Sequence, residues 1–381
     1  MRFRAIAAGI AFSLSLQVST HACTAFQFKA EDGTWIYARS LEFGFRMGSD
    51  LLIVPRGTAY TGTALNNKTG LKWTAKYGFV GMNQSVGQEF VSEGMNEKGL
   101  IVGMLYFPRY AQFEASSDTD SSRTIGSWEL AAYLLGSCST VSDVKEAVEK
   151  VIVGKVPNSD LGGFVIPLHY YVADRSGKAI VIEYLNGKRN VYDNPLGVLT
   201  NSPPFEWQIT HLIRYINLSP VNVPELKLSD WTLLNLGQGS GLLGLPGDYT
   251  PSSRFVRAVF FSQWASKPDN AEDAVGLGFH ILNTFNIFDG IVRTTLEEEN
   301  NSELPLAKTG VDLKNDITQW VVVHDRTHLK TYIRTYNNLQ VQMVDLNKID
   351  FSKGGLRTIK LPDAFSAEEI THKSTPLQRK S

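Results

Sequence analysis

Cysteine is scarce in this chain: Cys23 and Cys138 are the two thiols among 381 residues, so at most one disulfide can form. A surplus of charge is also missing. The formal net charge is −1, from 37 Lys and Arg against 38 Asp and Glu, which leaves no basic footprint for nucleic acid. No apolar run, Ala5 to Val18 included, is long enough for a membrane helix. There is likewise no internal repeat and no low-complexity linker. Gly-x-Ser-x-Gly, phosphate-loop and dinucleotide fingerprints do not occur, which removes the motif grounds for a serine-elbow hydrolase or a nucleotide enzyme. His324-Asp325-Arg326-Thr327-His328 has the spacing of a helical zinc pair, but it lacks the neighbouring Glu and its surroundings read as a hairpin. No metal and no cofactor are therefore assigned.

What is present begins at the N-terminus. Arg2 and Arg4 precede an apolar stretch too short to span a bilayer, and Thr20-His21-Ala22 places small residues at both positions that a signal peptidase inspects. Residues 1–22 are expected to be a secretory leader that is removed. Loss of two arginines takes the net charge from −1 to −3. The mature chain then starts Cys23-Thr24-Ala25-Phe26, and its first residue carries a thiol and a free α-amine. A thiol titrates near ~8.5 and an α-amine near ~8, so the amine can take the thiol proton and the pair forms a nucleophile and its base. A lipid-anchor cysteine, a disulfide to Cys138 and an ordinary buried thiol are the competing readings of Cys23.

The rest of the chain is globular in composition, with 43% hydrophobic and 20% charged residues. Thr24 to Lys29 and Trp35 to Leu41 read as strands joined at Asp32-Gly33. A second hairpin brackets Asn96-Glu97-Lys98-Gly99, between Phe90-Val91 and Leu100 to Phe107. Gln112 to Ser122 reads as an exposed loop with the character of a lid. Val144, Ala147, Val148 and Val151 lie on one helical face. Ile209, Leu212, Ile213 and Ile216 repeat that stripe, as do Phe255, Val256, Val259 and Phe260. Strands are expected over Phe164 to Val172, Ala179 to Leu185, Trp320 to His324, Lys330 to Thr335 and Leu339 to Leu346. Strand blocks separated by helix blocks point to a layered α+β domain over residues 23–362, followed by a polar tail at 363–381.

Several side chains are placed to serve the thiol. Arg39 and Glu42 lie on the strand returning from the first hairpin, where a guanidinium favours thiolate and a carboxylate could orient the amine; a surface ion pair is the simpler alternative. Asn201, in Thr200-Asn201-Ser202-Pro203, sits where an oxyanion donor would be held still, or serves only as a local backbone cap. Arg254 stands at the mouth of a helix after Gly244-Leu245-Pro246-Gly247-Asp248-Tyr249, with Arg257 one turn on. An apolar acyl group would need aromatic walls, for which Tyr106, Phe107, Trp207 and the polar loop after Tyr110 are the candidates.

Taken in order, Cys23-Thr24, Arg39, Asn96-Glu97-Lys98-Gly99-Leu100, Thr200-Asn201-Ser202-Pro203, Pro246-Gly247-Asp248, Ser253-Arg254-Phe255-Val256-Arg257 and Arg334-Thr335 resemble the choloylglycine hydrolases. This family holds the penicillin V acylases and bile salt hydrolases and belongs to the N-terminal nucleophile hydrolase superfamily. The resemblance implies a four-layer αββα sandwich in which Cys23 attacks a linear amide and forms an acyl-enzyme. It implies that Arg39 stabilises the thiolate, that Asn201 donates to the oxyanion, and that Arg254 completes the polar network. Glu42 departs from the family's more usual Asp. Tyr106 falls where bile salt hydrolases carry Asn and penicillin V acylases carry Tyr, and its backbone N–H could serve the oxyanion. That tilts the expected substrate toward penicillin V or an N-acyl-homoserine lactone. The alternatives are a conjugated bile salt and, from another class, an exported non-catalytic binding lipoprotein. By the same resemblance the partner is a small N-acyl amide, the location is a Gram-negative periplasm with no membrane anchor, and the assembly is a homo-oligomer such as a tetramer.

Overall fold

In the computed structural model of the protein, residues 22–84, 87–293 and 315–374 are described. Two antiparallel sheets are stacked face to face. The first has six strands in the order Val198–Leu199, Cys23–Lys29, Trp35–Phe43, Ile317–Asp325, Lys330–Thr335 and Gln342–Asp345. The second has eight, in the order Lys188–Asp193, Ala179–Leu185, Leu168–Ala173, Ile101–Tyr106, Gly87–Asn96, Phe79–Gln84, Leu51–Val54 and Arg357–Ile359.

Side-chain alternation along the strands sorts the residues into layers. In the eight-stranded sheet Ile53, Val80, Met82, Ile101, Leu105 and Tyr171 meet the six-stranded sheet. Their neighbours Leu52, Phe79, Val102, Tyr170 and Ile182 instead pack with the helices Leu130–Ser137 and Val141–Lys150. Val144, Ala147 and Val148 are the buried stripe of the second of these helices. Thr140 caps it by accepting from the Asp143 N–H, and Asp143 closes the capping box. On the outer face of the six-stranded sheet lie Pro251–Trp264 and Ala271–Asn283, which bury Phe255, Val259, Ala274 and Leu282 in the same core as that sheet. Pro251 occupies the first helical turn, where a missing N–H costs nothing. The order helix, sheet, sheet, helix is the expected αββα sandwich.

Some elements differ from their sequence expectation. The strand expected from Phe164 begins at Leu168, after a turn at Gly162 and Gly163 with φ of +61° and +86° and after Pro167, which has no N–H to give a sheet ladder. The last strand shortens to Gln342–Asp345. The isoleucine stripe is helical only through Phe205–His211 and a following 3-10 turn at Leu212–Tyr215, and Ile213 and Ile216 stay 65% and 76% exposed. The chain then leaves the sandwich in a small hairpin, Leu226–Leu228 with Trp231–Leu233. Residues 363–374 of the polar tail are exposed. Residues 1–21, which hold most of the expected leader, lie outside the described residues.

Candidate active site

Cys23 is the first residue of its strand and pairs with Leu41 across the hairpin. Its side chain therefore shares the inter-sheet face with Leu41 and Arg39. Arg39 is fully buried and its Nη2 stands 3.9 Å from the Cys23 sulfur. The guanidinium is fixed by donating to the Ser92 carbonyl at 2.6 Å and to that of Met104, and it stacks on Trp320 with Cζ 5.5 Å from the ring centre. Gly103 makes room for it: a Cβ there would lie 2.7 Å from the Tyr37 hydroxyl and 3.4 Å from Arg39 Nη1. Burial opposes the charge of Arg39, but Cys23, Tyr37 and Glu93 outweigh it and its pKa is raised.

The nitrogen of Cys23 donates to Asn201 Oδ1 at 2.7 Å. The same oxygen accepts from Arg254 Nη2 at 2.8 Å, and Asn201 Nδ2 donates to the Tyr106 carbonyl at 2.8 Å. Two donors on one atom and an acceptor opposite the other settle which end of the amide is oxygen. An amide nitrogen carries two hydrogens. One serves Tyr106, and the other has no partner among the described residues.

Arg254 reaches the site from the helix layer. It donates from Nη1 to the Thr24 hydroxyl at 2.7 Å and to the Cys23 carbonyl, and from Nε to the Tyr249 carbonyl at 2.9 Å. Arg257 turns away, donating to the carbonyls of Pro246 and Asp248 at 2.6 and 2.8 Å. Of the two candidates, Arg254 is the one against Cys23.

Glu42 is placed differently from the sequence expectation. Three residues after Arg39 on the same strand, it faces the helix layer while Arg39 faces the second sheet. Its carboxylate accepts from the Thr318 hydroxyl at 3.0 Å, its electrostatic partner is Arg254, and its backbone N–H donates to the Ala22 carbonyl at 2.9 Å. The oxygen that receives the Cys23 nitrogen belongs to Asn201 instead. Burial pushes the Glu42 carboxyl up to about 7, against the pull of Arg254 and Thr318.

Beside the sulfur opens a small apolar pocket of about 70 Å³, bounded by Phe43, Phe45, Met47, Phe90, Tyr106 and Phe164 among others. Phe43 meets Phe45 edge to face at 4.7 Å and Tyr106 at 5.9 Å. Tyr106 thus bounds this pocket, and three other expectations are corrected. Phe107 points the opposite way from Tyr106, as strand alternation requires, and lies buried on His169 with ring centres 4.3 Å apart. Trp207 is 47% exposed, stacked on His211 on the surface. The loop after Tyr110 does not line the pocket; Asn158, Leu161, Phe164 and Ile166 do. The sequence reading, which chose Tyr106, Phe107 and Trp207, missed Phe43, the last residue of the strand that carries Arg39, and Phe45 just beyond it. A larger cleft of about 630 Å³ lies at the far end of the first strand, around Phe28, Lys29 and Trp35. It contains none of the groups that surround the thiol.

Both cysteines are free and buried, so the disulfide reading of Cys23 is overturned. Burial pushes the Cys138 thiol up to about 12, which disfavours its thiolate. The suspected zinc segment is a hairpin end, as the sequence indicated. His324 sits in a strand between Glu93 and Thr331, and His328 caps the turn against Asp325. No helix of the described residues is long and apolar enough to cross a membrane.

Residues 23–359 match the family of linear amide C-N hydrolases, choloylglycine hydrolase family. The chain is 32% identical to a bile salt hydrolase/transferase of Clostridium perfringens, over 91% of this chain and 99% of that protein. It is 26% identical to a penicillin V acylase of Pectobacterium atrosepticum, over 92% and 88%. The crystal structure of a variant of conjugated bile acid hydrolase from Clostridium perfringens superimposes with a TM-score of 0.78 at 30% identity, covering 92% of this chain and all of that one. The tilt toward penicillin V drawn from Tyr106 is thus less well supported than the bile salt alternative. Layer order, the thiol in its apolar pocket and these likenesses agree: the chain belongs to the choloylglycine hydrolase family and is an amidohydrolase acting on linear amides.

Proposed function

We propose that removal of residues 1–22 exposes Cys23 as an N-terminal nucleophile that cleaves linear N-acyl amides through a thioester. The observation that carries this reading is the 2.7 Å contact from the Cys23 nitrogen to Asn201 Oδ1, because it holds that nitrogen at the site rather than in a strand ladder. Once freed, the amine takes the thiol proton and the Arg39 guanidinium favours the thiolate. Sulfur attacks the carbonyl carbon, the second Asn201 amide hydrogen meets the developing oxyanion, and the amine returns the proton to the leaving nitrogen. Water then hydrolyses the thioester by the same steps. Arg254 holds Asn201 and the Cys23 carbonyl. Glu42 balances Arg254 from the helix side and does not touch the amine directly.

The substrate we put first is a conjugated bile salt, on the strength of the 32% identity to a bile salt hydrolase/transferase over 99% of its length. One observation favours a second reading, penicillin V or another slim acyl amide. The pocket holds about 70 Å³, well below the ~300 Å³ where sites for drug-sized ligands begin, and its aromatic walls suit a flat phenoxyacetyl group better than a steroid. The reading also includes export to the periplasm and assembly with further copies of the chain. Val221, Leu226, Leu228, Trp231, Leu234 and Leu236 are 52–80% exposed on and around the outlying hairpin, an apolar patch of the kind that marks an interface.

The first experiment is the intact mass and N-terminal sequence of the exported protein, followed by turnover of glycine-conjugated bile acid, penicillin V and long-chain N-acyl-homoserine lactone. A chain beginning at unmodified Cys23 that hydrolyses the bile acid fastest is the expected result. A lipid adduct on Cys23 or an uncut leader in active enzyme would remove the mechanism. Preference for penicillin V or the lactone would keep the mechanism and replace the substrate.

A further inference from the structure

Behind Asn201 lies a buried acid and histidine that the proposed chemistry does not use. His169 and Glu183 sit on adjacent strands of the eight-stranded sheet, with no side-chain exposure, and Nδ1 and Oε1 are 3.0 Å apart. His169 Nε2 lies 2.8 Å from the Thr200 carbonyl, across the gap between the two sheets. Glu183 Oε1 also accepts the Phe205 N–H at 3.0 Å. The pair therefore grips Thr200 and Phe205, and Asn201 is suspended between the two grips. On its other side the imidazole stacks on Phe107 at 4.3 Å with the planes 5° apart. Phe107 follows Tyr106, whose carbonyl takes the first amide hydrogen of Asn201.

The protons follow from the partners. A carbonyl only accepts, so His169 Nε2 carries hydrogen. Glu183 Oε1 is shared between the Nδ1 edge of the ring and the Phe205 N–H, so one carboxyl oxygen ties the histidine to the start of the following helix.

We propose that His169 and Glu183 are positioning residues for the hydrolysis, a clamp on segment 200–205 that holds the Asn201 amide at the oxyanion. This rests on the reading of Asn201 as oxyanion donor. An oxyanion donor contributes only when held in place before charge develops, and a support that loosens it by a fraction of an ångström forfeits much of its effect. Glu183→Gln weakens the grip in either orientation: an inward amide oxygen is a poorer acceptor than a carboxylate, and an inward amide nitrogen meets the Phe205 N–H.

The test is a double-mutant cycle of Glu183→Gln with Asn201→Ala in the processed enzyme, reading kcat, KM and the rate of Cys23 alkylation by iodoacetamide. Glu183→Gln alone is expected to lower kcat about tenfold, the scale of one misplaced donor, with KM and alkylation within about twofold of wild type. In the Asn201→Ala background it is expected to cost nothing further, because what it positions is gone. An unchanged kcat, or the full loss persisting without Asn201, overturns the clamp. A parallel fall in alkylation does too, since it would mean general distortion. Near-normal kcat in Asn201→Ala alone would instead sink the oxyanion reading. If Glu183→Gln does not fold, His169→Asn enters the same cycle under the same criteria, since its amide keeps a donor near Glu183 and withdraws the one to Thr200.

Discussion

Replacing Glu42 by Gln should change the pH dependence of stability by an amount that the structure sets. The Glu42 carboxyl is wholly buried, and burial raises it from 4.5 to about 7 in spite of Arg254 and Thr318. A carboxyl that binds its proton more tightly when folded contributes stability that is complete below its unfolded pKa and is lost as pH rises through the folded one. The window therefore runs from 4.5 to about 7. The shift of about 2.5 units, at about 1.36 kcal/mol each, is worth about 3 kcal/mol. Wild type carries this loss on the alkaline side and Glu42→Gln does not. The free-energy advantage of the Gln variant over wild type should grow by about 3 kcal/mol between about pH 4 and pH 8.5. Urea unfolding of both proteins across that range measures it. Comparing the same two proteins at each pH cancels the fixed cost of placing an amide where the carboxyl was. A difference that stays flat would mean that Arg254 keeps Glu42 ionised throughout, and a difference that shrinks would reverse the sign of the argument.

Further outcomes are expected in kinetics and in thiol labelling. Asn201→Ala should lower kcat at least roughly a hundredfold and KM much less, as for loss of an oxyanion donor, while Cys23→Ser should fold and be almost inactive because an alcohol is far harder to deprotonate; steady-state kinetics with thermal melts check both. Phe43→Ala, which removes a pocket wall, should raise KM for an apolar acyl group about tenfold or more, whereas Trp207→Ala should leave kcat/KM within about twofold because that ring stands on the surface. Native protein should react with a thiol reagent at Cys23 alone, Cys138 joining only on unfolding because its buried thiol is pushed up to about 12; rapid labelling of both sites in the folded state would contradict this.

Much of the site was legible before any coordinates. Cys23 after an expected leader, Arg39 on the returning strand and Asn201 before Pro203 were readable because each depends on a local pattern: a proposed processing signal, a hairpin or a turn. The separation of Arg39 from Glu42 was also in principle legible, since positions three apart on a strand point to opposite faces. The same rule sends Phe107 away from the pocket that Tyr106 lines. Neither Arg254 over Arg257 nor the pocket walls could be read this way. Arg254 meets Cys23 across 231 positions, and no periodicity carries information over that distance.

The sequence by itself indicated several of the strands and helices, through alternation and the 3.6-residue stripe, among them Cys23–Lys29, Trp35–Phe43 and Val141–Lys150, and it singled out Cys23 as the candidate nucleophile, because a processing signal is a local pattern. The tertiary structure alone decided what surrounds that nucleophile. Stacking one sheet on another fixes the Arg39 guanidinium on the Ser92 and Met104 carbonyls and puts His169 under Thr200, and packing a helix on the outer face brings Arg254 to Asn201. Those contacts join segments that approach only when both sheets bury their apolar faces, so they belong to the packing and not to any stretch of the chain.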